Sequence, residues 1–181
     1  MSILTFEDKH GGRRIRLWLE QLPTETSLPQ ADETRESSFD ATSGMSFHSK
    51  VAIEIVRPYG PMFDYGLLGI KFAPGTSARL TLRSPVSHSH GPVSYREAIA
   101  NRLDDVSVGG LDEYSDSIHA ALLNLDSIHL PAGTISVTCM ANGLVGSSAR
   151  VFADLMRGSV RLLTTAEPPR SLDEAMHLLK Y

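Results

Sequence analysis

Residues 142–149 read Asn142-Gly143-Leu144-Val145-Gly146-Ser147-Ser148-Ala149. Glycines permit unusual backbone angles. Serines at a helix start leave N–H groups free to face an anion, and the helix dipole favours the negative charge. Asn142, Gly143, Gly146, Ser147 and Ser148 are therefore candidate ligand-binding residues for a phosphate group. The same string also reads as a tight turn with a serine cap, and no lysine follows it to meet a phosphate. The one close histidine pair is His88 and His90 in Ser87-His88-Ser89-His90-Gly91. Two histidines at i, i+2 on a strand point one way and could hold a metal with a third ligand. A polar loop is the alternative, and no metal site is assigned. His119 and His129 have no partner at a useful spacing. Arg13, Arg14 and Arg16, with Arg79 and Arg83, could contact the phosphates of RNA if their strands adjoin.

Other chemistry is excluded. No G-x-S-x-G nucleophile elbow and no G-x-x-x-x-G-K phosphate loop occurs, and the chain has no Gly-Lys dipeptide. The single cysteine, Cys139, cannot form an intrachain disulfide, and it sits in an apolar run that suits a buried structural thiol. No catalytic residue and no cofactor is expected. No apolar run is long enough for a membrane span and no signal peptide is visible, so a cytoplasmic protein is expected.

The elements that would position these residues follow from periodicity. Residues 3–6, 13–19, 51–55, 67–72, 78–83 and 135–139 alternate or run apolar as strands do. Gly11-Gly12 and Ala73-Pro74-Gly75-Thr76 read as turns, the second making the middle strands a meander of about three. Ser94-Tyr95-Arg96-Glu97 is a capping-box signature, with Ile99 and Leu103 at helical spacing from Tyr95. Tyr114, Ile118, Ala121, Leu122 and Leu125 form a helical stripe that Asp112 can cap. Ser147 or Ser148 caps a further helix bearing Phe152, Leu155, Met156, Val160 and Leu163. Ser171 and Glu174 open a last short one.

The 181 residues, 41% hydrophobic and 21% charged, suit one globular domain. Residues 1–19 are N-terminal strands, 20–46 an acidic flexible loop or linker, 47–165 an α+β core, and 166–181 a C-terminal helix packed on it. The order of strands before helices implies a small, mostly antiparallel sheet with helices on one face. Lys plus Arg is 17 against 21 for Asp plus Glu. Residues 20–46 hold Glu20, Glu25, Asp32, Glu33, Glu36 and Asp40 against Arg35, so the excess acidity lies there. Net charge therefore does not exclude an RNA partner.

Tyr65-Gly66-Leu67-Leu68-Gly69-Ile70-Lys71-Phe72 resembles the Tyr-Gly strand of domain IV of translation elongation factor G. Val108-Gly109-Gly110, then Glu113-Tyr114, Ile118 and Ala121, are similar to that domain's Gly-Gly turn and long helix. Residues 135–138, and Ser147-Ser148 with Phe152, are similar to its next strand and its Ser-Ser-led helix. These pieces keep their order from about 65 to 163. A shorter string, Gly143-Leu144 and then Gly146-Ser147-Ser148-Ala149, resembles the glycine loop of kinases of the galactokinase and homoserine kinase type, with Val145 inserted. Both resemblances imply the ribosomal protein S5 domain 2-like fold. The first implies a non-catalytic binding domain contacting RNA or the ribosome through loop tips at Gly109-Gly110 and 142–146. This sequence has a shorter second tip, lacks the family's histidine there, and has Ala149 in place of an acid. A protein partner is equally compatible with the charge. The alternative is a nucleotide or phosphate-ligand binder, or a small kinase-like enzyme, using residues 143–148. A homo-oligomer formed through an exposed edge strand such as 78–83 is a third reading. No membrane partner is expected.

Overall fold

The computed structural model describes residues 1–9, 12–28, 33–86, 93–110, 112–123 and 130–180. The histidines at 88, 90 and 129, and Gly11 of the first turn, lie outside the described residues. Among the described residues, eight strands form one sheet: β1 (Ser2–Glu7), β2 (Arg14–Leu19), β3 (Thr34–Asp40), β4 (Lys50–Tyr59), β5 (Met62–Pro74), β6 (Arg79–Pro85), β7 (Val106–Val108) and β8 (Gly133–Gly143). The order across the sheet is β1-β2-β4-β5-β8-β6-β3, and β7 pairs with the far end of β8. Every pairing is antiparallel except β6 with β8. The helices are α1 (Asp112–Leu123), α2 (Ala149–Thr164) and α3 (Leu172–His177). The fold is α+β with a mostly antiparallel open sheet.

The helices share one face. Ile15, Leu17, Ile53, Ile55, Leu68, Ile70 and Ile135 point toward it and pack on Ile118, Phe152, Leu155 and Val160. Ser148 caps α2, its hydroxyl accepting from Val151 N–H, and Ser171 caps α3 by accepting from Glu174 N–H. The α2 helix lies directly on β5 at Gly66. A Cβ there would stand 2.8 Å from Leu155 Cδ1 and 3.0 Å from Val151 Cγ1. Tyr114 of α1 stacks on Phe152 of α2 with ring centroids 4.4 Å apart.

The opposite face is apolar too. Trp18, Ala52, Val56, Tyr65, Leu67, Cys139 and Ala141 are buried there beneath Tyr95, Ala98 and Ala100. Cys139 is the buried structural thiol expected, and burial pushes its pKa up. The covering stretch, residues 93–105, is a chain of turns and not the helix its capping box predicts. Its backbone makes short i to i+3 bonds, such as Leu103 N–H to Ala100 O at 2.7 Å. Tyr95, Ala98 and Ala100 face inward, while Leu103 is exposed.

Three further expectations are corrected. The middle strands are not a meander, because β8 is inserted between β5 and β6. Residues 78–83 are not an edge, because β6 has β3 on its outer side. Among the described residues, the edges of the sheet are β1 and β3. The stretch 20–46 is not loop throughout, since it contains β3 and a 3-10 turn at Thr24–Thr26. A strand forms in that acidic stretch because its acids meet bases: Glu36 lies opposite Arg83, and Asp40 opposite Arg79.

The inward residues of β3 complete the pairing. Arg35 bonds to Asp112 and Asp116 of α1. Ser37 Oγ is 2.7 Å from His119 Nδ1, whose Nε2 is 2.9 Å from Ser84 Oγ, itself 2.6 Å from Ser115 Oγ. Sequence spacing offers His119 no partner because Ser37 and Ser84 come from other elements, β3 and β6. Burial, aided by the nearby Arg35, lowers the His119 pKa from 6.5 to about 4. An imidazole that weak is a poor general base at neutral pH, so the cluster pins β3 to α1. The unfolded state takes up this proton below about 6.5 and the native state only near 4. The neutral ring's contribution is full above 6.5 and is lost as pH falls toward 4. The stability gap between wild type and His119→Asn should therefore shrink by roughly 3 kcal/mol from pH 7 to pH 4 in urea unfolding. A constant gap would contradict the pin.

Candidate functional site

The five arginines do not converge. Three strands, β4, β5 and β8, separate β2 from β6. Arg13 pairs with Asp8 and Asp173, Arg79 with Asp40, and Arg83 with Glu36. Arg14 donates to Ile99 O at 2.7 Å, and Arg16 donates to Glu97 O at 3.2 Å. The condition set by the sequence, that the strands carrying these arginines adjoin, is therefore not met. Gly109 and Gly110 do not form an exposed tip either. Both are buried. Gly109 accepts from Asn142 Nδ2 at 2.6 Å, and a Cβ on Gly110 would collide with Met140.

Residues 142–148 do form a tip, at the end of the sheet where β8 passes into α2. Gly143 N–H donates to Ser147 Oγ, and Ser147 Oγ donates to Tyr65 O. The loop presents backbone N–H groups to an anion. The anion is the chain's own Asp104: Gly146 N–H reaches Asp104 Oδ2 at 2.8 Å, and Val145 N–H reaches both carboxylate oxygens at 3.1 Å. Leu144 N–H goes to Asp105 O. Ser148 Oγ is used as the helix cap. The N–H groups of Gly143, Leu144, Val145 and Gly146 are thus occupied within the chain.

The β4–β5 turn stands beside this loop. A Cβ on Gly146 would stand 2.6 Å from the Phe63 ring, and Tyr65 N–H donates to Gly146 O at 2.7 Å. A run of alternating charges stiffens the junction. Arg150 and Arg57 both hold Asp64, Arg57 also holds Asp154, and Asp154 holds Arg157. Asp64, Asp154 and Arg157 are buried, so breaking a link leaves a desolvated charge short of its partner. Outside this run, large apolar side chains face solvent. Tyr59 is 64% exposed, Met62 52%, Leu144 71% and Val145 56%. The Arg150 guanidinium lies over the Tyr59 ring, 4.8 Å from its centroid.

A second feature lies under residues 93–105. Glu54 of β4 is fully buried on that face. Its Oε1 accepts from Ile99 N–H at 3.0 Å and from Tyr65 OH at 3.1 Å. Its Oε2 lies 3.4 Å from Arg16 Nη1 and has no hydrogen-bond partner. Burial raises the Glu54 pKa from 4.5 to about 7, outweighing the Ile99 N–H, Arg16 and Tyr65, with Glu97 adding to the rise. Burial and the Glu54 charge likewise raise the Tyr95 pKa well above its ordinary value.

Among the described residues, no group of three or more His, Cys, Asp or Glu is placed to hold a metal ion, and no helix is long and apolar enough to cross a membrane. The chain matches no protein-family model and no curated protein.

Two stability measurements check these contacts. Asp104→Ala leaves the part-buried Gly146 N–H and the exposed Val145 N–H without their charged acceptor and should cost about 1–3 kcal/mol in urea unfolding. No loss would mean the loop does not depend on Asp104. Glu54 binds its proton more tightly in the native state, so its contribution is full below pH 4.5 and is lost as pH rises through 7. Glu54→Gln should gain roughly 3 kcal/mol on wild type between pH 4.5 and 7.5. A pH-independent difference would mean an ordinary carboxylate.

Proposed function

We propose that this chain is a non-catalytic binding domain that engages a protein partner through the end of the sheet formed by the β4–β5 turn and residues 142–148. The observation that carries this reading is the exposure of Tyr59, Met62, Leu144 and Val145 at that one end. Exposed apolar groups gathered beside an arginine are characteristic of protein interfaces. The charge run from Arg150 to Arg157 supports the reading by holding the end rigid, which lowers the ordering cost of association.

The resemblance to domain IV of elongation factor G is consistent with this reading. The core follows the implied order of strands, helix, strand, helix, and the parallel β6–β8 pair is bridged by α1. Of the two tips that the resemblance implies, residues 142–146 are the accessible one. RNA is the weaker partner class here, because the proposed arginines lie apart and are engaged by acids or by backbone carbonyls.

Photo-crosslinking tests the assignment. A photoreactive residue at Val145 should capture a discrete protein in cell extract, and the same residue at exposed Ser77 should not. Tyr59→Ser with Leu144→Ser should reduce capture at least tenfold without lowering the melting temperature. Equal capture from both positions, or salt-sensitive binding to structured RNA in place of protein, would overturn it.

A further inference from the structure

Residues 93–105 form a strap whose two ends adjoin the end of β8 and whose middle crosses β4 and β2. Their middle is held by β2 and β4: Arg14 donates to Ile99 O, Arg16 to Glu97 O, and Ile99 N–H donates to Glu54. Their far end inserts Asp104 into the loop N–H groups of Val145 and Gly146. Their near end is tied to β7 through Tyr95 N–H to Val106 O and Val108 N–H to Val93 O. A helix would have spent its N–H and C=O groups on itself. This strap bonds some of them within its turns, but Ile99 N–H, Ile99 O and Glu97 O go to side chains of the sheet, so docking of its middle depends on the state of those side chains.

One of those side chains is in an unusual position. Glu54 has no access to solvent while the strap is down. The charged and titratable groups facing it are Arg16 from β2, Tyr65 from β5, and Tyr95 and Glu97 from the strap itself. Glu25, near the 3-10 turn, acts on Tyr95. Arg16 is the one cation in this set, and it is shared with Glu97 O and with the Trp18 ring, 5.5 Å from its centroid.

We propose that the strap is a proton-operated latch: with Glu54 un-ionised it stays down, and ionisation of Glu54 favours a lifted strap in which the carboxylate reaches water and Asp104 leaves the 143–146 loop. What is regulated rests on the reading of that loop as part of the contact surface; the latch itself does not. In the docked state burial holds the Glu54 pKa near 7. In the lifted state the carboxylate is solvated and returns toward its ordinary value. Raising the pH across the interval between those values favours lifting, by up to about two orders of magnitude in the opening equilibrium. Above that interval both states are ionised and the dependence ends.

Amide hydrogen exchange on the intact wild-type protein, corrected for intrinsic pH dependence, tests this without any partner. The amides of Ile99, Val145 and Gly146 should lose protection together, by about a hundredfold between pH 5 and 7.5. They should exchange faster than that of Leu68 in the sheet centre. In Glu54→Gln the same amides should show pH-independent protection. Unchanged protection in the wild type would overturn the latch. So would exchange no faster than Leu68, which signals global unfolding. Release at Ile99 without release at Val145 and Gly146 would overturn the coupling to the loop. Failure to capture a protein at the contact end would leave each of these outcomes unaffected.

Discussion

A cover of coil over an apolar sheet face must find partners for its own N–H and C=O groups, and much of this structure depends on how it does so. Three helices cover one face of the eight-stranded sheet. Residues 93–105 cover much of the other, with Tyr95, Ala98 and Ala100 as their inward side chains. Some backbone groups of that cover bond within its own turns, and Ile99 O, Glu97 O and Ile99 N–H are bonded by Arg14, Arg16 and Glu54 from the sheet. Asp104, at the end of the cover, in turn accepts from the loop that opens α2. Some residues that look like recognition chemistry in the sequence thereby make contacts within the fold. Two of the five arginines hold the cover, and the glycine loop's anion is supplied internally.

The electrostatic consequence is a pair of buried titrating groups on opposite faces of the sheet. His119 on the helix side is kept neutral by burial, and Glu54 on the strap side is kept protonated into the neutral range by burial. The first makes acid destabilising and the second makes base destabilising, over overlapping intervals. Their slopes oppose between about pH 4.5 and 6.5 and largely cancel there. Above that interval only Glu54 remains to titrate of the two, so near neutral pH the balance tips on the strap side.

Much of the framework was legible in the residues. The alternations in β2 and β6, the stripe of α1 and the serine caps of α2 and α3 are local signals, and each marks its element. What was not legible depends on pairing across long separations. The strand β3 carries Glu36, Ser38 and Asp40 and reads as linker until Arg83 and Arg79 are placed opposite. The capping box at Ser94 is sound local chemistry, but Glu54 and Arg14 compete for the backbone groups of Ile99 that a helix would use. Glu54 itself reads as a solvent-facing residue between Ile53 and Ile55. The overlooked signal is that Ala52 and Val56, on the same face, make residues 51–56 nearly continuous in apolar character, the mark of a strand buried on both sides. The tip at 142–146 was legible as a loop, but its exposed companions, Tyr59 and Met62, come from a turn about eighty residues earlier.

A binding domain with a rigid contact end and a strap that reports on proton concentration is a coherent reading of these features. It stands on one physical claim, that Glu54 is buried deeply enough to hold its proton near neutral pH. Carbon-13 NMR of the Glu54 side-chain carboxyl across a pH titration measures that directly. The account predicts an apparent pKa of about 7 for this carboxyl in the folded protein. A value at or below the ordinary 4.5 would mean that Arg16 and the Ile99 N–H hold an ionised carboxylate in the docked state, and the account would be wrong at its centre.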